Sequence, residues 1–230
     1  MAQRNDSEDL LTEGESHQRT VPRNSSAPVN LTMKTEKDWI EFLKMPDHLA
    51  CALEVGSHYV SIKHAVHNDL YKRLGTGLET HLKKHSALKE WKIEREDAAE
   101  KWAAVCIEPC DHPEGCSGVY VRLERCDLKT PRMILGVGTY TGFSALGIKL
   151  RQPLVDAMEA HDFNLTHKGW VRRRWMEYYP DEHEFCVDAM ASTRIEKDLL
   201  VATCDVFDEF RNLMERINKD ETARFKSSGG

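Results

Sequence analysis

Residues 91–109 read WKIEREDAAEKWAAVCIEP, and the fold turns on how this stretch is read. In Trp91-Lys92-Ile93-Glu94 apolar and charged side chains alternate, the two-residue period of a strand with one face buried. Trp102 to Ile107 is a continuous apolar run, as in a strand covered on both faces. Alternation resumes after a turn at Pro113-Glu114-Gly115, with Val119, Val121 and Leu123 interleaved with Tyr120, Arg122 and Glu124. Met133 to Val137 is again a buried-strand run. The connections are short, so neighbouring strands are expected to pair antiparallel as a meander.

On either side of this region the apolar spacing is helical. Thr35 and Asp38 have the spacing of a capping box, ahead of Trp39, Ile40, Phe42 and Leu43, with a break expected at Pro46-Asp47. Tyr59, Ile62, Val66, Leu70 and Leu74 predict a helix ending at Gly75. Thr76 and Glu79 predict a second helix, with Leu78 and Leu82 facing inward. Pro153 fits the first turn of a helix carrying Leu154, Val155 and Met158. Trp170 to Tyr178 reads as a further strand. Thr193 and Glu196 predict a third capping box, opening a long helix with Ile195, Leu199, Val206, Phe210, Leu213 and Ile217 along one face. The expectation is an α+β fold: an antiparallel meander sheet flanked by N-terminal helices and a long C-terminal helix.

The chain has 230 residues, 40% of them hydrophobic and 30% charged, with a formal net charge of −6. That balance suits a globular protein and argues against a generally basic nucleic-acid coat. Residues 1–33 are polar and poor in apolar side chains, which predicts a disordered arm. Residues 34–225 are expected to form a single domain and 226–230 a flexible tail. There is no apolar run long enough for a membrane span and no apolar leader, so a cytoplasmic location is expected. The seven cysteines are then expected as free thiols.

Three stretches carry the residue types of a site. Cys106, Cys110, His112 and Cys116 fall within eleven residues, spaced C-x3-C-x-H-x3-C. Thiolate and imidazole are zinc ligands, although the spacing departs from paired C-x2-C knuckles. Lys168, Trp170, Arg172, Arg173, Arg174 and Trp175 interleave cations with aromatic rings, the combination that single-stranded nucleic acid needs for phosphate and base. The alternative is an ordinary strand, with Trp175 in the core and arginines paired to carboxylates. Gly136 to Gly142 is a glycine-rich turn that could admit a nucleotide or sulfonium cofactor. Elsewhere, His81 and His85 lie at i, i+4, the spacing of a metal pair, but no third ligand is near them in sequence, and His64 and His67 also read as surface histidines.

Two family resemblances bear on these stretches. Gly136-Val137-Gly138-Thr139-Tyr140-Thr141-Gly142 resembles the first motif of class I AdoMet-dependent O-methyltransferases, with Gly136 where that family has an acid and no second acidic strand following. It implies an AdoMet-dependent enzyme. From Asp69 onward the order of features resembles the C-terminal, non-catalytic half of PD-(D/E)xK nuclease-family proteins. Those features are Leu70, Tyr71 and Leu74 on a helix, Trp91 and Trp102 on strands, Tyr120, the strand Ile134 to Val137, and Trp170, Trp175 and Tyr178 before a terminal helix. This second likeness implies a non-enzymatic accessory or recognition module, associated with defence against foreign DNA. It carries over no catalytic residues: Glu90-Trp91-Lys92 has the letters of the motif, but no preceding strand supplies its Asp. A third expectation is self-association, or binding of a protein partner, through the C-terminal helix.

Overall fold

A computed structural model of the chain describes residues 35–96, 103–126, 132–141, 148–180 and 182–228. The predicted arm over residues 1–33 lies outside the described residues, as do Trp102 and Gly142. The elements, in chain order, are α1 (Glu36–Leu43), α2 (Pro46–Ser57), α3 (Tyr59–Lys84), β1 (Trp91–Arg95), β2 (Ala104–Pro109), β3 (Val119–Cys126) and β4 (Arg132–Thr139). They continue with α4 (Ile148–Ala160), β5 (Leu165–His167), β6 (Trp170–Trp175), α5 (His183–Ala191) and α6 (Arg194–Ser227). The fold is α+β, with every described strand pair antiparallel.

The six strands lie in the order β1-β2-β3-β4-β6-β5. The first four form the expected meander. After β4 the chain crosses through α4 and returns as the short edge strand β5, which the sequence reading missed. It then turns into β6, which pairs with β4.

One face of this sheet is the main core. Val105, Ile107, Val119, Val121, Leu123, Met133, Leu135, Val137 and Val171 pack there against Leu70, Leu74, Leu78 and Leu82 of α3 and against α4, α5 and α6. From α6 the core receives Ile195, Leu199, Val206, Phe207, Phe210, Met214 and Ile217. The apolar stripe of the C-terminal helix is therefore spent within the chain.

Four local expectations are corrected. Helix α3 does not stop at Gly75; it runs unbroken through Gly75 and Gly77. Both glycines make room for neighbours: a Cβ on Gly77 would lie 2.8 Å from the Leu200 side chain of α6, and one on Gly75 would lie 3.0 Å from Arg95. Thr76 caps nothing. Its hydroxyl donates to the Lys72 carbonyl within the helix, at 3.1 Å. Thr193 makes no side-chain cap, and its expected partner Glu196 instead pairs with Arg73 of α3 at 2.9 Å.

The break expected at Pro46-Asp47 is present, since α1 ends at Leu43 and Pro46 opens α2; Pro153, however, lies inside α4 rather than in its first turn. The capping box of Thr35 and Asp38 is present, with both reciprocal hydrogen bonds.

By compactness the chain divides into Met1–Ala52 and Leu53–Gly230, a boundary inside α2. In the first unit Trp39, Ile40, Leu43, Met45 and Leu49 are exposed, and α1 buries no residue. At the other end α6 extends to Ser227, two positions into the stretch expected as a tail. No described helix is long and apolar enough to cross a membrane.

Candidate functional site

The second face of the sheet is where the sequence-predicted residues meet. Partners across an antiparallel sheet share a face, so the registers assign it directly. Cys106, Arg122, Gly136 and Arg173 form one row, and Ala104, Glu124, Ile134 and Trp175 form another. The two small apolar clusters on this side draw no residue from any described helix. One joins Ala104, Cys106, Tyr120 and Tyr140; the other joins Ile134, Trp170 and Trp175.

The basic run of β6 is divided by strand alternation. Arg172 points to the helix side, where its Nε donates to Glu159 of α4 at 2.9 Å. Arg174 lies over the Phe163 ring, 4.6 Å from its centroid. Arg173 faces the other way, between Trp170 and Trp175, at 5.7 and 5.8 Å from the two ring centroids. A residue the sequence reading passed over completes the ladder: Arg132 of β4 sits 5.1 Å from the Trp175 centroid and 5.2 Å from that of Tyr179. Lys168, in the turn between β5 and β6, is exposed. The expectation of one continuous basic-aromatic strand is thus corrected to two guanidinium groups among three rings. Trp170 is buried, whereas Trp175 and Tyr179 are half-buried.

Towards β1 and β2 the same face is acidic and polar. Arg122 bridges two carboxylates, Glu124 at 2.5 Å and Glu96 at 2.8 Å. Glu124 is buried, and that desolvation pushes its pKa up even though Arg122 opposes the shift. Burial likewise raises Glu108, partly offset by the Tyr140 hydroxyl beside it. It also raises the thiol of Cys106 and the phenol of Tyr120. Burial thus disfavours ionisation of the Cys106 thiol and the Tyr120 phenol, and a buried thiol with a raised pKa is a poor nucleophile.

The raised Glu108 has a consequence for stability. Its folded-state pKa lies above the unfolded one, so the folded chain binds the proton more tightly. The stability it contributes is full below the unfolded pKa and is lost as pH rises through the folded value. Glu108→Gln should therefore flatten the fall in stability on going from mildly acidic to neutral pH. Urea midpoints measured at both pH values would check this; an unchanged pH dependence would contradict it.

The zinc quartet does not assemble. Cys106 points from β2 into the cluster with Tyr120, and Cys110 contacts the Leu88 carbonyl at 3.8 Å. The Cys116 thiol donates to the carbonyl of Ser117 at 3.2 Å. His112 stacks on Tyr140 at 4.0 Å, with Nε2 2.9 Å from the Cys116 carbonyl oxygen. Among the described residues, the group of three metal-ligand types that the fold does bring together is His81, His85 and Asp208. Cys51, Cys106, Cys110, Cys116, Cys186 and Cys204 are free thiols.

Gly136 and Gly138, two of the glycines expected to cradle a cofactor, are interior to β4. A Cβ on Gly136 would lie 2.3 Å from the Arg172 carbonyl oxygen, and one on Gly138 would lie 3.0 Å from the Tyr120 ring. They serve strand packing. An antiparallel sheet also lacks the parallel strand-turn-helix unit that the methyltransferase motif needs. Set beside protein-family models, curated proteins and solved structures, the chain matches none.

Proposed function

We propose that the chain is a non-enzymatic accessory domain that contacts single-stranded nucleic acid through the β4–β6 half of this sheet face. The observation that carries the reading is the alternation Trp170, Arg173, Trp175, Arg132, Tyr179, each guanidinium within 5.8 Å of two ring centroids. The half-buried rings of Trp175 and Tyr179 offer faces on which any base can stack, and guanidinium groups offer charge to phosphate. Lys168 extends the positive charge beyond the end of β6. The carboxylates around Arg122 repel a polyanion, which confines it to the β4–β6 side.

Three cations at roughly 0.7 per phosphate contact give an expected slope of log K against log salt of about −2. Fluorescence anisotropy with a labelled single-stranded oligonucleotide reads that slope. Arg132→Ala with Arg173→Ala should weaken binding at least about tenfold and reduce the slope by about 1.4. Arg172→Ala should leave it unchanged, because that side chain is engaged with Glu159 on the opposite face. Absence of binding at low salt, or equal loss from Arg172→Ala, would remove the reading.

A further inference from the structure

The groove between α3 and α6 holds a second constellation, remote in chemistry from the sheet face. Helices α3 and α6 run side by side in the same sense: Arg73 meets Glu196, Gly77 meets Leu200, and His81 meets Asp208. The missing side chain at Gly77 lets the two helices approach. One turn beyond it the i, i+4 spacing puts His81 and His85 on the same side of α3. Their rings stack at 4.4 Å, and His81 Nε2 lies 3.0 Å from Asp208 Oδ1. One ligand atom from each of the three residues falls within 4.8 Å of the others. The cavity alongside has a volume of about 710 Å³, and its lining includes Thr80, Lys84, Asp205 and Asp208.

We infer that His81, His85 and Asp208 bind one divalent transition-metal ion of the zinc type. Two imidazole nitrogens and a carboxylate oxygen form a borderline-soft donor set suited to zinc. In a tetrahedral zinc sphere, bonds near 2.0–2.1 Å place neighbouring ligand atoms about 3.3 Å apart. The His81–Asp208 pair, at 3.0 Å, is already close to that separation. His85 and Asp208 are exposed, so rotation of their side chains can close the remaining distance without disturbing the core. An ion pair alone accounts for His81 and Asp208 but gives no reason for the second ring stacked on the first. Three protein ligands leave the fourth position open to the groove. The bound ion ties α3 to α6 only in the folded chain, so it raises the unfolding temperature.

The test uses the full chain, stripped with chelator and titrated with Zn²⁺ by calorimetry, and with Co²⁺ by its ligand-field absorption. One equivalent should bind, with a rise in unfolding temperature. His85→Gln and Asp208→Asn should each lower affinity at least about tenfold, since even residues that only orient a ligand cost that much. His85→Gln should leave the metal-free unfolding temperature unchanged, which separates lost ligation from lost folding. Cys110→Ser and His112→Gln should keep the affinity. Lack of a one-equivalent site would overturn the inference, as would binding that survives both His85→Gln and Asp208→Asn, or binding lost with Cys110→Ser.

Discussion

Alanine at Gly136 is expected to destabilise the fold by at least about 3 kcal/mol, at or beyond the upper end of ordinary overpacking. The added methyl would sit 2.3 Å from the Arg172 carbonyl oxygen, 2.7 Å from the Arg173 Cα and 2.9 Å from its Cβ. Two of these three atoms belong to the backbone of β6, so no rotamer change relieves the clash. The pairing of β4 with β6 would have to open, and the register already shifts just beyond, between Val137 and Gly138. Because Arg173 is the residue across from Gly136, the same substitution displaces the guanidinium that lies between Trp170 and Trp175. Gly56 of α2 supplies the control: an added Cβ there meets nothing within 4 Å, and alanine in a helix is more favourable than glycine by roughly 0.5–1 kcal/mol. Urea unfolding followed by circular dichroism would compare the two. A Gly136→Ala midpoint close to that of the unsubstituted chain would contradict the packing described.

What the sequence disclosed about this fold follows from which forces act locally. The switch from helical spacing to two-residue alternation is set by burial on one face, and it placed the starts of β1 and β3 where they lie. Glycine was misread because its effect depends on what stands opposite. At Gly75 the preference of glycine for helix ends is overridden inside α3, where the missing side chain makes room for Arg95, which is not near in sequence. The Thr193 cap failed for a related reason, since Glu196 has a stronger partner in Arg73. The same limit applied to the sites. Strand alternation could have warned that Arg172, Arg173 and Arg174 cannot all share a face. Arg132 and Asp208 could not have been assigned from sequence, because each acts through a residue on another element: Trp175 of β6 for one, His81 of α3 for the other.

Asn218 links helix and sheet through both polar ends of its amide, and Asn218→Ala is expected to cost about 2–6 kcal/mol. Its side chain lies on α6 and addresses both backbone groups of one residue. Oδ1 accepts from the Val119 N–H at 2.7 Å, and Nδ2 donates to the Val119 carbonyl at 2.9 Å. The need for it follows from the register of β2 on β3. Val105 faces Leu123 and Ile107 faces Val121, so the next pair along would be Pro109 with Val119. Proline has no N–H to donate, so the ladder stops and leaves an inward-facing peptide group of β3 unpaired. The amide of Asn218 occupies the place of a strand backbone. Alanine would orphan one buried donor and one buried acceptor, each costing about 1–3 kcal/mol. Asn218→Asp separates the two bonds. As a carboxylate it still accepts from the N–H but repels the carbonyl; when protonated it regains a donor. Its stability relative to the unsubstituted chain should therefore improve as pH falls below neutrality, whereas the deficit of Asn218→Ala stays constant. Chemical denaturation of the three proteins at neutral and mildly acidic pH would decide this, and two variants with the same pH response would show that the paired amide bonds are not what α6 contributes at Val119.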